Sequence, residues 1–292
     1  MLLRHLIQRF SPARQCLIGC GDRHQFWTPH NAPHFSALIW PIMTRNASDY
    51  SLKFLGTGSG GQPDMGCSAA VLELNQQPIL LIDCGYGTLS AYQKHYKRLP
   101  QAIFITHGHL DHIADLEILT VQARLQEHPP IRLYVPLNLI TLLHQRLATY
   151  PGAMAEGGHN FWQSFQLLPV TDAFIHQDLT FRLHATRHHQ PGFSYALHLP
   201  GVLFYSGDTR PIPEILCHEL SGQERIFHDC GLQPNPSHTG LDDLAREYPP
   251  ALHQRFVLYH YANEQAATAL EQAGYEVARP GDSISLGTGS NT

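Results

Sequence analysis

The sequence predicts an α/β protein built as a layered α/β/β/α sandwich, and three observations carry that expectation. Short apolar runs of strand type alternate with stretches of helical spacing through both halves of the chain. No linker-like composition divides the halves. The 292 residues are 43% hydrophobic and only 15% charged, enough to bury one large core.

The elements follow in order. Residues 1–48 hold Arg4, Arg9, Arg14, Arg23 and Arg45 against one acid, Asp22, with no clear periodicity. They are read as an N-terminal extension, either a transit-type leader or the product of a start codon placed ahead of Met43. Residues 49–292 form the folded domain. Ser51–Leu55, Ala69–Leu74 and Ile79–Ile82 are strands bounded by Gly/Pro turns. A helix is expected from Thr88 to Lys97, then a buried strand from Ala102 to Ile105. Ile113, Leu116, Leu119 and Ala123 recur at helical spacing, so Asp111–Ala123 reads as one helix. Ile131–Val135 is a strand, Leu137–Ala148 a helix and Pro151–His159 a Gly-rich loop. The second half repeats the alternation. Its strands are Phe165–Val170, Leu179–Ala185, Phe193–Leu199, Val202–Ser206 and Arg255–Tyr259; its helices lie near Pro213–Leu220, Leu241–Glu247 and Glu264–Ala273.

Composition excludes several classes. No apolar run approaches the ~18–20 residues of a membrane-spanning helix. The formal charge of −5 and the absence of a dense basic run argue against a surface for long nucleic acid. Six scattered cysteines without a C-x-x-C pair suit a reducing, cytoplasmic setting rather than a disulfide scaffold. The 21 histidines outnumber the 19 Lys and Arg together. Histidine is the commonest metal ligand and the usual acid or base near neutral pH, so position must separate ligands from bystanders. Isolated histidines such as His176 and His198 are read as surface or satisfied core residues.

The decisive segment is Thr106-His107-Gly108-His109-Leu110-Asp111-His112, directly after the buried strand. Its four polar ligand types would be costly to bury without a partner, and nitrogen with carboxylate donors suits a borderline divalent ion such as zinc. With the strand-end positions His188-His189, Asp208 and His260 added, the donors exceed one tetrahedral ion and imply two. The glycines of Gly56-Thr57-Gly58-Ser59-Gly60-Gly61 lack a phosphate-loop pattern and read as a turn lining the site.

With its H-x-H-x-D-H signature, Ser206-Gly207-Asp208-Thr209 and His260, the sequence resembles the metallo-β-lactamase superfamily from about Tyr50 to His260. The resemblance implies a four-layered αββα sandwich. It also implies His107, His109 and His188 on one metal, Asp111, His112 and His260 on the other, and Asp208 bridging. His188 is preferred to His189 because it stands five residues before Phe193-Ser194-Tyr195. Phe54-Leu55-Gly56-Thr57-Gly58-Ser59 and Ile82-Asp83-Cys84-Gly85 are similar to the opening motifs of the ribonuclease Z and cyclic phosphodiesterase branch. Phe227-His228-Asp229-Cys230 and Ser237-His238-Thr239 resemble two further motifs of that branch, which would make His238 a catalytic acid oriented by Asp229. Asp111 joins them among the catalytic residues. Ribonuclease Z carries a long arm between the third ligand and the bridging Asp; here 20 residues separate His188 from Asp208, enough for a hairpin.

The expected protein is thus a metal-dependent hydrolase. It would hold two divalent ions, zinc with Mn2+ or Fe2+ as alternatives, around a bridging hydroxide. Its substrate would be a small or cyclic phosphodiester, a short nucleotide or an RNA end. Asp83 and Thr209 are expected to orient the ligands, and Cys84 and Cys230 to pack. A glyoxalase II-like thioester or lactone hydrolase and a mononuclear iron oxidoreductase on the same fold stay open, as does a homodimer.

Overall fold

A computed structural model describes residues 49–60, 62–149 and 158–287. The expected N-terminal extension, and most of the Gly-rich loop expected at Pro151–His159, lie outside the described residues.

The first sheet is built from β1 (Tyr50–Gly56), β2 (Ala69–Leu74), β3 (Gln77–Ile82), β4 (Ala102–Phe104), β5 (Ile131–Pro136) and β6 (Phe165–Val170). The second contains β7 (Ala173–His176), β8 (Leu179–Ala185), β9 (Tyr195–Leu199), β10 (Leu203–Tyr205), β11 (Arg225–Asp229), β12 (Phe256–Tyr259) and β13 (Glu276–Val277). A last strand, β14 (Ser283–Ser285), crosses back to pair antiparallel with β1 at the edge of the first sheet. Strands β3 through β6 run parallel, as do β10 through β13.

Three apolar clusters define the four layers. Phe54, Leu72, Phe104, Tyr205, Phe227 and Tyr259 fill the space between the sheets. Ile103, Ile105, Leu116, Leu119 and Leu133 pack the helices Thr88–Tyr96 and Asp115–Leu125 onto the outer face of the first sheet. Phe204, Leu216, Ile226, Leu244, Leu258 and Leu270 do the same for the second sheet. Central strands β4, β10 and β12 are buried at every position because both faces are covered, which is why they read as unbroken apolar runs.

Several expected boundaries shift. The single helix expected at Asp111–Ala123 is two, Leu110–Ile113 and Asp115–Leu125, because the Cys84 carbonyl accepts from Asp115 N at 3.0 Å where the turn breaks. The helix expected at Leu137–Ala148 is a succession of short turns, 3-10 at Leu137–Leu139, α at Ile140–Leu143 and π at His144–Ala148. The strand expected from Phe193 starts at Tyr195, since Phe193 N closes a turn onto the Gln190 carbonyl. Strand β7 is an addition: alternating, half-exposed Ala173–His176 carries too little apolar signal to stand out, yet it pairs antiparallel with β8.

Parallel pairing aligns strand ends. Asp83, the His107–His112 segment, Asp229 and His260 follow the C-terminal ends of β3, β4, β11 and β12, where open α/β sheets present their functional groups. Strands β8 and β10 are both antiparallel to β9, so His188 and Asp208 emerge on the same rim. Backbone bonds stitch the sheets together there: Tyr195 N donates to Thr106 O at 3.1 Å and His260 N to Thr57 O at 2.8 Å.

Candidate metal centre

Seven side chains converge where the two sheets' strand ends meet. Around the first point, His107 Nε2 and His188 Nε2 each lie 3.1 Å from His109 Nδ1, and both are 3.7 Å from Asp208 Oδ2. Around the second, His112 Nε2 lies 3.4 Å from Asp111 Oδ2 and 3.4 Å from Asp208 Oδ2, and His260 Nε2 is 3.2 Å from the same oxygen. Asp208 Oδ2 is common to both sets. A tetrahedral ion bound at about 2.0–2.1 Å sets its ligand atoms roughly 3.3 Å apart, which is the spacing observed.

The burial of these atoms argues independently for ions. His112 Nε2, His260 Nε2 and Asp208 Oδ1 are buried without a hydrogen-bond partner among the described residues. Orphaned buried polar atoms are costly and rare; here they face a cluster whose remaining members are ligand types. The residues therefore fit a pair of divalent cations.

The opposite nitrogen of most rings is anchored, as ligand imidazoles require. Asp83 Oδ2 takes His112 Nδ1 at 2.8 Å and the Thr106 hydroxyl at 2.7 Å, and Thr106 Oγ1 meets His107 Nδ1 at 3.0 Å. His188 Nδ1 contacts the Ser237 carbonyl at 3.1 Å. Asp229 serves two rings. Its Oδ2 bonds His238 Nδ1 at 2.7 Å, and its Oδ1 stands 3.2 Å from His260 Nδ1, an ion-pair distance outside hydrogen-bond angles. Asp83 and His260 both hold left-handed backbone, φ 63° and 67°, so the chain accepts local strain to aim these groups. Two glycines make room for Asp111. A Cβ on Gly60 would sit 2.7 Å from Asp111 Oδ2, and one on Gly85 would sit 1.6 Å from the Asp111 carbonyl.

The electrostatics of the protein groups alone follow from this crowding. Burial holds His107 well below its usual value, and burial with the neighbouring His188 brings His109 to about 4. At His260 burial acts the same way, but Asp208 and Asp229 outweigh it and raise the ring to about 10. Burial would raise Asp208, yet His260, His112 and His107 hold its carboxyl well below the usual range. Burial would lower His112 too, but Asp208 and Asp83 outweigh it, so the first set presents neutral rings to an ionised carboxylate, while a cation entering the second set would displace the ring protons of His112 and His260.

Every site residue expected from sequence is in the assembly. His188 rather than His189 joins the first set; His189 packs at a tilt against His109, ring centres 4.4 Å apart and planes at 55°. Asp83 touches His112 as expected, while Thr209 acts one step further out, its N–H donating to Asp229 Oδ2 at 2.9 Å. His238 lies flat on His260, ring centres 4.7 Å apart at 20°. Asp229, His238 and His260 are also close enough to form a third donor group, but their facing atoms already engage one another. His228, next to Asp229, turns away to bond Tyr248 OH at 2.8 Å. Cys84 and Cys230 are fully buried among apolar residues, as packing groups are. Sequence reasoning missed Thr106, the Ser237 carbonyl and the second contact of Asp229, because none has a spacing signature.

Known proteins share this architecture. The metallo-β-lactamase fold protein YhfI of Bacillus subtilis superposes with a TM-score of 0.62 at 15% identity, covering 80% of this chain and 98% of that one. A diphosphatase from the PhnP family gives 0.63 at 20% identity, covering 80% and 97%. The short form of human tRNase Z gives 0.60 at 20% identity, covering 82% and 100%. At these identities the likeness establishes the metallo-β-lactamase fold. Closer in sequence, anti-Pycsar protein Apyc1 of Paenibacillus xerothermodurans is 30% identical over 226 residues, 73% of this chain and 88% of the relative. That of Bacillus phage BSP38 is 26% identical over 237 residues, covering 73% and 89%. The family model for anti-Pycsar protein Apyc1 matches residues 50–284, the span that carries both sheets and every residue of the cluster, and the chain belongs to that family.

Proposed function

We propose that this protein is a phosphodiesterase that holds two divalent cations and hydrolyses a small or cyclic phosphodiester. The observation that carries the reading is the pair His238–Asp229, bonded at 2.7 Å and stacked against the second ligand set. An alkoxide leaves phosphorus poorly unless it is protonated, whereas the thiolate of a thioester leaves readily, so the pair has work to do in phosphodiester hydrolysis that it would lack on a thioester.

In this reading His107, His109 and His188 hold one ion, Asp111, His112 and His260 the other, and Asp208 lies between them. Zinc suits the donors, with Mn2+ and Fe2+ as alternatives. Bound there, the ions would supply Lewis acidity toward the phosphoryl oxygens and water activated at neutral pH. The chain's own groups do the rest. Asp83 and Thr106 lock the rings of His112 and His107, and Ser237 locks His188. Asp111 reaches the same space from the more open side, its side chain 23% exposed, where it can accept a proton from water. Asp229 accepts from Nδ1–H of His238 and pairs with the imidazolium form of the ring, whose Nε2–H passes to the departing oxygen as the P–O bond breaks. The hairpin of β9 and β10 occupies the interval between His188 and Asp208, which suits a small substrate rather than a folded RNA. The four described cysteines are unpaired, which supports a reducing compartment such as the cytoplasm. Among the described residues no helix is long and apolar enough to cross a membrane.

The test is a hydrolysis panel on protein reconstituted with zinc or manganese: cyclic nucleotides, RNA ends, aryl phosphodiesters, thioesters and lactones. Phosphodiesters should be turned over best. Preference for a thioester would overturn the reading, as would oxygen consumption with one iron per chain.

A further inference from the structure

The cluster opens on one side into a hollow of about 480 Å³ bordered by His238 and His260. Its other polar side chains are Ser59, Gln233, Asn235, Asn263 and Gln265. No Lys, Arg, Asp or Glu lines it.

The hydrogen bonding of those amides is lopsided. Asn235 Oδ1 accepts from Ser237 N at 2.8 Å and His238 N at 2.9 Å, so its oxygen is spent holding the acid's loop while its NH2 keeps free donors. Asn263 Oδ1 caps the helix Glu264–Gln272 by accepting from Ala266 N at 2.9 Å, again leaving an NH2 free. Gln233 and Gln265 are exposed and make no side-chain hydrogen bond among the described residues. The side of the cluster that carries the proton donor is thus rimmed by neutral amides, all four with free N–H donors and the two glutamines with free acceptors too, and by no cation to receive a second phosphate.

We infer that this hollow is the leaving-group subsite, built for an uncharged fragment rich in hydroxyl or carbonyl oxygens, such as a sugar. The inference rests on the phosphodiesterase reading and goes beyond it by assigning the alcohol that departs with the proton of His238. A plain alkyl alcohol would leave the amide donors unused, and a phosphate-bearing alcohol would bring a dianion to a surface holding no positive charge.

The full chain, reconstituted with manganese, is given three diesters of adenosine 5′-phosphate, with methanol, glycerol and glycerol 3-phosphate as the second alcohol. Bis(4-nitrophenyl) phosphate serves as a reference that needs no such contacts. Wild type should prefer the glycerol diester over the methyl diester in kcat/KM, with the glycerol phosphate diester slowest. Gln233→Ala with Gln265→Ala should lower kcat/KM for the glycerol diester about tenfold, mostly through KM, since each lost hydrogen bond is worth roughly a factor of two to ten. The same variant should leave the methyl diester, the reference and the metal content unchanged. Gln265→Lys should raise turnover of the glycerol phosphate diester. Equal rates for methyl and glycerol diesters, unaltered in the double variant, would overturn the subsite while leaving the phosphodiesterase reading intact. Failure of wild type on the reference, on all three diesters and on the cyclic nucleotides of the hydrolysis panel would instead overturn the reading beneath it.

Discussion

Replacing His238 by Ala isolates the proton-donor step from metal binding. The ring belongs to neither ligand set, its Nδ1 is committed to Asp229 at 2.7 Å, and its side chain is 22% exposed toward the opening. A positioned general acid contributes ~100 to 10,000-fold, or about 2.7–5.4 kcal/mol of barrier. Hydrolysis of an alkyl phosphodiester by His238→Ala should fall within that range. A 4-nitrophenyl phosphodiester, whose leaving group departs without a proton, should lose little. Elemental analysis should find wild-type metal content. Asp229→Asn is the informative companion. From sequence Asp229 orients only His238 and should mimic its loss mildly, but Oδ1 also stands 3.2 Å from His260 Nδ1. Loss of a carboxylate behind a ligand imidazole typically costs 10–100-fold in metal affinity, so this variant should also bind its second ion more weakly by about that factor. Wild-type turnover of alkyl diesters in His238→Ala, or unaltered metal affinity in Asp229→Asn, would refute the two-sided role given to this carboxylate.

Further outcomes follow from the same geometry. Reconstituted wild type should carry close to two ions per chain, and Asp208→Ala should weaken both sites together, since Oδ2 lies within 3.7 Å of donors in each set; atomic absorption reads both. His188→Ala should lose metal and activity, while His189→Ala should keep most of both; the reverse pattern would reassign the third ligand. Glu224 provides a pH test away from the site. Burial would raise its pKa, but the amides of Gly201 and Ser221 outweigh this and hold it at about 2. Its folded value lies below the unfolded one, so its contribution is complete above about pH 4.5 and is lost as pH falls toward 2. Glu224→Gln should therefore cost about 3 kcal/mol in urea unfolding at pH 7, since Arg255 and the loop amides lose a buried anionic partner. The difference from wild type should shrink in acid.

The sequence by itself determined the layered α/β class, through apolar strands buried on both faces, and marked the candidate donors crowded at a strand end; the expected division of those donors and the preference for His188 came from the family motifs the sequence resembles. It also marked Asp83 and His238, through short motifs. The tertiary structure alone decided how the donors divide, because Asp208 Oδ2 faces both sets only when β8 and β10 emerge on the same rim. It decided that Asp229 supports two histidines, since His238 and His260 lie 22 residues apart in the chain and meet only by stacking. It broke the expected helix at Ala114, where the chain turns so that Asp115 can bond the Cys84 carbonyl and the Leu89 amide. It joined β14 to β1 across the whole length of the domain. Each of these depends on partners distant in sequence, and such contacts leave no periodicity or spacing to read.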